Sequence, residues 1–232
     1  MPAWPQKREE LIEEQLRLAA LDPASWQFAP RARVGAVFVC FGRGGSGPGS
    51  AGDAAWAAAA VGDATVVVPG RAGAAYEPGL LALREGALLE TAVRALPEPL
   101  DVLLVDGTGR DHPRRAGLAL HLGAVLELAT VGVTHRPLAA EGAWPPDERG
   151  ARSPLRLGGE LVGYWVRTRV GTRPLVVHAG WRTEPNTAAQ VVLATARTRT
   201  PEPLRAARRR AREARAAGAT PAGSDTPACP GV

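Results

Sequence analysis

A short apolar run that ends in a carboxylate constrains this chain most. Leu100-Asp101-Val102-Leu103-Leu104 reads as a buried parallel strand, and Val105-Asp106-Gly107-Thr108-Gly109-Arg110-Asp111-His112-Pro113-Arg114-Arg115 follows it. Two glycines bend the chain after Asp106, and Pro113 is predicted to open a helix. In an open α/β sheet, ligands bind outside the carboxyl ends of the strands, which makes Asp106 a candidate for metal or substrate chemistry.

The flanking pattern alternates helices and strands. Residues 6–21 read as an amphipathic helix with Leu11, Ile12, Leu16, Ala19 and Ala20 on one side. Residues 34–41, 54–61 and 64–68 read as strands, the last two joined at Gly62-Asp63, and the Gly/Ser/Pro-rich stretch 42–52 as a mobile hairpin tip. A helix is predicted over 79–96, and Glu85 falls on its apolar stripe with Leu81, Leu88 and Ala92. An ionised carboxylate there is costly unless paired or metal-bound. Further expectations are a helix over 113–129, a strand over 130–133, a loop over 139–158, a strand pair over 161–170 and 174–179, and a helix over 186–198. The last helix starts at Pro203, with Leu204, Ala207, Ala211 and Ala214 as its stripe and six arginines between 205 and 215 around it. Together these give one mixed α/β domain over 1–217, with a disordered tail over 218–232.

With 232 residues, 45% of them apolar, the chain is long enough for a sizeable core. A formal net charge of +5, carried by arginine with Lys7 as the only lysine, favours an anionic partner such as nucleic acid. Cys40 and Cys229 make no disulfide framework, and no apolar run approaches the roughly 20 residues of a membrane span. These readings point to a cytoplasmic monomer.

The chain resembles the endonuclease V family. The resemblance rests on Tyr76-Glu77-Pro78-Gly79-Leu80-Leu81-Ala82-Leu83-Arg84-Glu85, Asp106-Gly107-Thr108-Gly109-Arg110-Asp111-His112-Pro113-Arg114-Arg115, Thr130-Val131-Gly132-Val133 and Gly180-Trp181-Arg182. It covers about residues 8 to 215. It implies a ribonuclease H-like α/β fold, a mixed sheet flanked by helices, and Mg²⁺-dependent cleavage (Mn²⁺ as substitute) of the second phosphodiester bond 3′ to inosine or deoxyinosine in DNA or RNA. Glu85 and Asp106 match two catalytic, metal-binding carboxylates. Tyr76 and Pro78 match a wedge that enters the duplex, with Ala75 and Glu77 departing from it. Gly79, Leu81, Gly107, Gly109, His112, Leu118 and Leu138 match the pocket for the flipped base.

Other positions depart from the family. Phe38 stands where an Asp binds the metal, His135 replaces a lysine, Trp181 a histidine and Asn186 an acidic residue. Phe has no donor atom for a hard cation. Asp53, Glu184 and His178 are candidates to rebuild the site. The expectation is an endonuclease V-like repair protein with cleavage lost or weakened; the alternative is a non-catalytic inosine-binding pseudoenzyme. Several residues also have plain structural readings. Asp106 would cap a turn, Glu85 would pair with Arg84 or Arg115, and Trp181 would pack. The arginine helix would present a solvated face or track phosphates.

Overall fold

The computed structural model describes residues 4–42 and 47–218; part of the 42–52 connection, and the tail from 219 on with Cys229, lie outside them. The chain order is α1 (Arg8–Ala19), β1 (Val34–Phe41), β2 (Ala54–Val61), β3 (Ala64–Arg71), a π-helical turn (Ala82–Gly86), α2 (Ala87–Arg94), β4 (Val102–Val105), α3 (Leu118–Leu126), β5 (Ala129–Thr134), β6 (Arg152–Leu157), β7 (Glu160–Val166), β8 (Leu175–Ala179), α4 (Pro185–Thr195) and α5 (Glu202–Ala216). The strands form one eight-stranded sheet in the order β3-β2-β1-β4-β5-β8-β7-β6. β1, β4 and β5 run parallel at its centre, and the remaining pairs are antiparallel.

The middle strand is the short apolar run of the sequence. Val102, Leu103, Leu104 and Val105 are fully buried. Leu103 and Val105 join the cluster under α2 and α3, while Val102 and Leu104 join the cluster under α4. Helices therefore cover both faces, as a parallel sheet requires. Each such side chain contributes about 1.5–3 kcal/mol of burial free energy, so this strand is a firm base for the residue that follows it. Parallel pairing of Val37 with Val105 then puts Phe38 of β1 beside Asp106.

Three expectations on the way to the site are corrected. No helix starts at Pro113. Residues 113–117 form an irregular turn in which Arg115 takes φ 58°, and α3 begins at Leu118. Residues 152–157 are a strand, not part of a loop. Pro154 obscures it in the sequence, but β6 is the sheet edge, where a proline costs no ladder hydrogen bond. On α1 the buried residues are Leu11, Gln15 and Leu18, whereas Leu16 is 55% exposed. Gln15 is turned inward by polar partners that a hydrophobic pattern does not register.

Candidate functional site

Two cavities meet at the carboxyl ends of β4 and β5. One is a cleft of about 620 Å³ lined by Phe38, Phe41, Asp53, Arg84, Glu85 and Asp106, among others. The other is a cavity of about 360 Å³ lined by Tyr76, Pro78, Gly79, Leu81, Gly107, His112, Leu118 and Leu138, among others. Tyr76, Leu81 and Asp106 line both and stand between them. Of the sequence-predicted pocket residues, only Gly109 is absent from this lining. Its role is different: a Cβ there would lie 1.9 Å from the Ala179 carbonyl oxygen, so the backbone of the Asp106 loop passes β8 too closely for any side chain.

The wall of the smaller cavity is fixed by His112. The Arg114 backbone N–H donates to His112 Nδ1 at 3.1 Å, so the ring proton sits on Nε2 and donates to the Gly79 carbonyl at 3.0 Å. Burial lowers the pKa of this imidazole. Gln15 Nε2 at 3.0 Å and Arg114 Nη2 at 3.1 Å donate to the same carbonyl, and Arg114 Nε donates to Gln15 Oε1 at 2.6 Å. Three donors thus converge on Gly79, which has φ 81° and tolerates it because it lacks a Cβ. The adjacent Tyr76, 43% exposed, is tethered by its N–H to the Gly49 carbonyl at 3.0 Å, and neighbouring Glu77 pairs with Arg8 of α1. Gln15 and Arg114 were not singled out as functional residues in the sequence. Their signal is an unusual polar residue on an apolar helix face and the second position of the Pro-Arg-Arg run.

The opposite wall, around Leu138, hangs on Asp111. Its carboxylate accepts from the backbone N–H groups of Leu138, Ala139 and Ala140 at 2.7–2.8 Å. His178 Nδ1 lies 3.5 Å away, and His178 Nε2 meets Thr134 Oγ1 at 2.8 Å. Thr134 lines the smaller cavity, so His178 is bonded to the rim through Nε2, while its Nδ1, which faces Asp111, makes no hydrogen bond among the described residues. Burial lowers the His178 pKa to about 4.

In the larger cleft the two carboxylates are treated differently. Glu85, in the π-helical turn, is buried, and its pKa is raised to about 8 by burial first and by Asp106 second, against the pull of Arg84. It has no ion-pair partner among the described residues. Arg84 instead donates to Asp53 at 2.9 Å and to the carbonyls of Ser50 and Ala74, and stacks over Phe41. Arg115 pairs with Glu160. Asp106 Oδ2 accepts from Arg208 Nε of α5 at 3.2 Å, and Arg208 Nη2 lies 3.0 Å from the same oxygen as an ion pair. The sequence reading grouped Arg208 with its neighbours. Which arginine reaches Asp106 depends on how α5 docks.

Residues 26–209 match the Endonuclease V family. The chain belongs to the endonuclease V family. A Methanopyrus kandleri endonuclease V is 45% identical over 142 residues, 61% of either chain. The matched segments span about 60–64% of the length of the first curated relatives. The solved endonuclease V of Streptomyces avermitilis is 33% identical, with a TM-score of 0.81 over 95% of this chain and 98% of that one. An endonuclease V of Ciona intestinalis was solved in complex with a 24mer DNA containing an inosine followed by a ribo-adenosine. It shares the fold at 20% identity, with a TM-score of 0.73 over 88% of this chain and 96% of that one. The mixed sheet flanked by helices is thus the ribonuclease H-like fold of endonuclease V.

Against that family, the departures fall in different places. Phe38 lies beside Asp106 in the larger cleft. His135 faces Arg199 Nη2 at 3.1 Å in a separate groove. Trp181 is not brought to Glu85 and Asp106. Its backbone bonds to Thr130 at the start of β5, and its ring packs with Leu18, Ala116 and Leu120. Asn186 accepts from the Tyr164 hydroxyl at 3.0 Å. None of the three replacements completes a metal site. Asp53 lines the cleft but is held by Arg84, His178 is buried behind Thr134, and Glu184 precedes α4 and is exposed. Among the described residues no three of His, Cys, Asp and Glu form a group that could hold a metal ion. Mg²⁺ asks for hard oxygen donors in a near-octahedral shell. A phenyl ring and two carboxylates engaged by guanidinium groups, Asp53 by Arg84 and Asp106 by Arg208, do not fit it.

Proposed function

We propose that this chain recognises inosine-containing nucleic acid and that its Mg²⁺-dependent hydrolysis of the second phosphodiester bond 3′ to inosine is absent or greatly weakened. The observation that carries the reading is the cavity of about 360 Å³ opening beside Asp106, with Tyr76 at its mouth. Its size lies within the usual range for small-ligand pockets. Flipping a base out of a stack costs a few kcal/mol, and a preshaped apolar slot offsets that cost. The Streptomyces and Ciona folds and the inosine DNA held by the latter support the substrate class.

The roles follow the lining. Leu81, Leu118 and Leu138 cover the base, the Gly79 and Gly107 backbones edge it, Tyr76 and Pro78 hold the flanking strand apart, and His112 fixes Gly79. Glu85 and Asp106 would be the catalytic carboxylates of the second reading, a retained nuclease, which their shared cleft favours.

Gel-shift measurements on strands that differ by one inosine test the reading. Inosine is expected to tighten binding, and Leu118→Trp, which fills the cavity, to remove about 1–3 kcal/mol of that preference, the size of one mismatched base position. Equal affinity for inosine and guanosine strands in the parent chain would contradict it.

A further inference from the structure

Helix α5 brings its arginines to the cleft through an alanine stripe. Ala207 and Ala211 are fully buried, and Ala211 packs with Cys40, Trp56 and Ala58 of β1 and β2. With no bulk under the helix, the residues one step on reach over the sheet end. The guanidinium carbons of Arg208 and Arg212 lie 5.7 and 5.6 Å from the centre of the Phe38 ring. Arg208 continues to Asp106, and only 12% of its side chain stays exposed.

Beyond Arg208 lies a groove of about 660 Å³, lined by His135, Arg199, Arg205, Arg208, Arg209 and Arg212 among others. Arg199 is held there by the carbonyls of Arg173 and Pro174. Its pKa is lowered by burial and then by Arg208 and Arg173, and that of His135 by burial and then by Arg199 and Arg208. Like charges are therefore crowded. Asp106 balances Arg208, Glu202 pairs with Arg205, and Glu213 pairs with Arg209. Arg199 and Arg212 have no carboxylate partner among the described residues. Such crowding disfavours the empty groove and draws an anion into it. A guanidinium suits a phosphate: its charge is permanent and its donors form a planar fork.

We propose that Arg208 stands in this chain where the family's chemistry places a divalent cation, and that Arg208, Arg212 and Arg199 grip a backbone phosphate of the bound strand without metal. Arg208 faces Asp106 with Nε and Nη2 and at the same time lines the groove. Phe38 is then the platform for two arginines rather than a missing ligand, and cation–π contacts contribute about 0.5–2 kcal/mol. This inference rests on the inosine-binding reading above for the strand it positions.

Fluorescence anisotropy of the full chain with labelled single-inosine and unmodified strands, as DNA and as RNA, tests it in excess EDTA and in Mg²⁺. Equal dissociation constants in the two buffers are expected. Arg208→Ala and, separately, the more exposed Arg212→Ala should weaken inosine and unmodified strands by the same factor, about tenfold. Each should also lower the slope of log affinity against log salt by about one. The preference for inosine should survive both changes, because phosphate contacts carry no sequence information. Thermal unfolding of each variant shows whether the fold is kept, and Arg212→Ala carries the test if Arg208→Ala does not fold. Binding that requires Mg²⁺, or salt slopes unchanged in both variants, would overturn the proposal. Metal-independent, arginine-dependent binding with no preference for inosine would sink the inosine reading alone.

Discussion

Phe38 offers the faces of its ring to Arg208 and Arg212, and Arg208 supplies the positive charge opposite Asp106. Glu85 and Asp106 were legible from spacing and motif, and so was Phe38 as a departure. Arg208 was legible only as one of six arginines, because nothing local marks which of them a docked helix aims at a carboxylate. Trp181 packs, as its plain structural reading expected, and it does so away from Glu85 and Asp106, because a motif position does not tell which end of a strand it reaches. His121 shows a second effect of burial. It stacks on Trp4 with centroids 4.6 Å apart, faces Glu14 and Arg17 of α1, and leaves Nδ1 without a partner. Burial takes its pKa, like that of His178, down to about 4. The unfolded chain, whose histidines titrate near 6.5, therefore binds more protons between these values. Stability should be full above about pH 6.5 and fall as the pH drops towards 4. His121→Phe keeps the stack and removes one titration, so its Tm should fall less steeply over that window. Parallel curves for the variant and the parent chain would contradict this.

At the scale of elements, strands announced themselves by apolar runs, and β1 and β2 have the bounds expected of them. What the pattern did not carry was set by tertiary partners. Residues 113–117 are irregular, and at their end Gly117 packs on the Thr108 backbone, where a Cβ would lie 2.5 Å from the carbonyl oxygen. The helix predicted from residue 79 starts at Ala82 with a π-helical turn, a feature frequent at functional sites. Helix α5 is the element on which the site most depends. Ala211→Leu would add volume where the helix meets β1 and β2. It should cost about 1–3 kcal/mol of stability, and, by lifting Arg208 and Arg212 away from Phe38, it should weaken strand binding as well. Chemical denaturation and anisotropy measure the two effects; full stability and full affinity in the Ala211→Leu variant would show that the close approach of α5 is not required.

Across the whole molecule, one sheet carries both halves of the site at the ends of its parallel strands, with the base-sized cavity on one side of Asp106 and the arginine groove on the other. The fold was readable from the order of elements and from the motif after β4, and the cavity from the motif residues around it. The Arg208–Asp106 pair at its edge needed the positions of β1, β4 and α5 together. No helix among the described residues is long and apolar enough to cross a membrane. The measurement that bears most directly on the account is a nicking assay on single- and double-stranded oligonucleotides carrying one inosine, with Mg²⁺ and then Mn²⁺, run beside a gel shift on the same strands. The account predicts inosine-dependent retention of intact strands with either metal. A nick one bond beyond the inosine, abolished by Asp106→Ala, would contradict it.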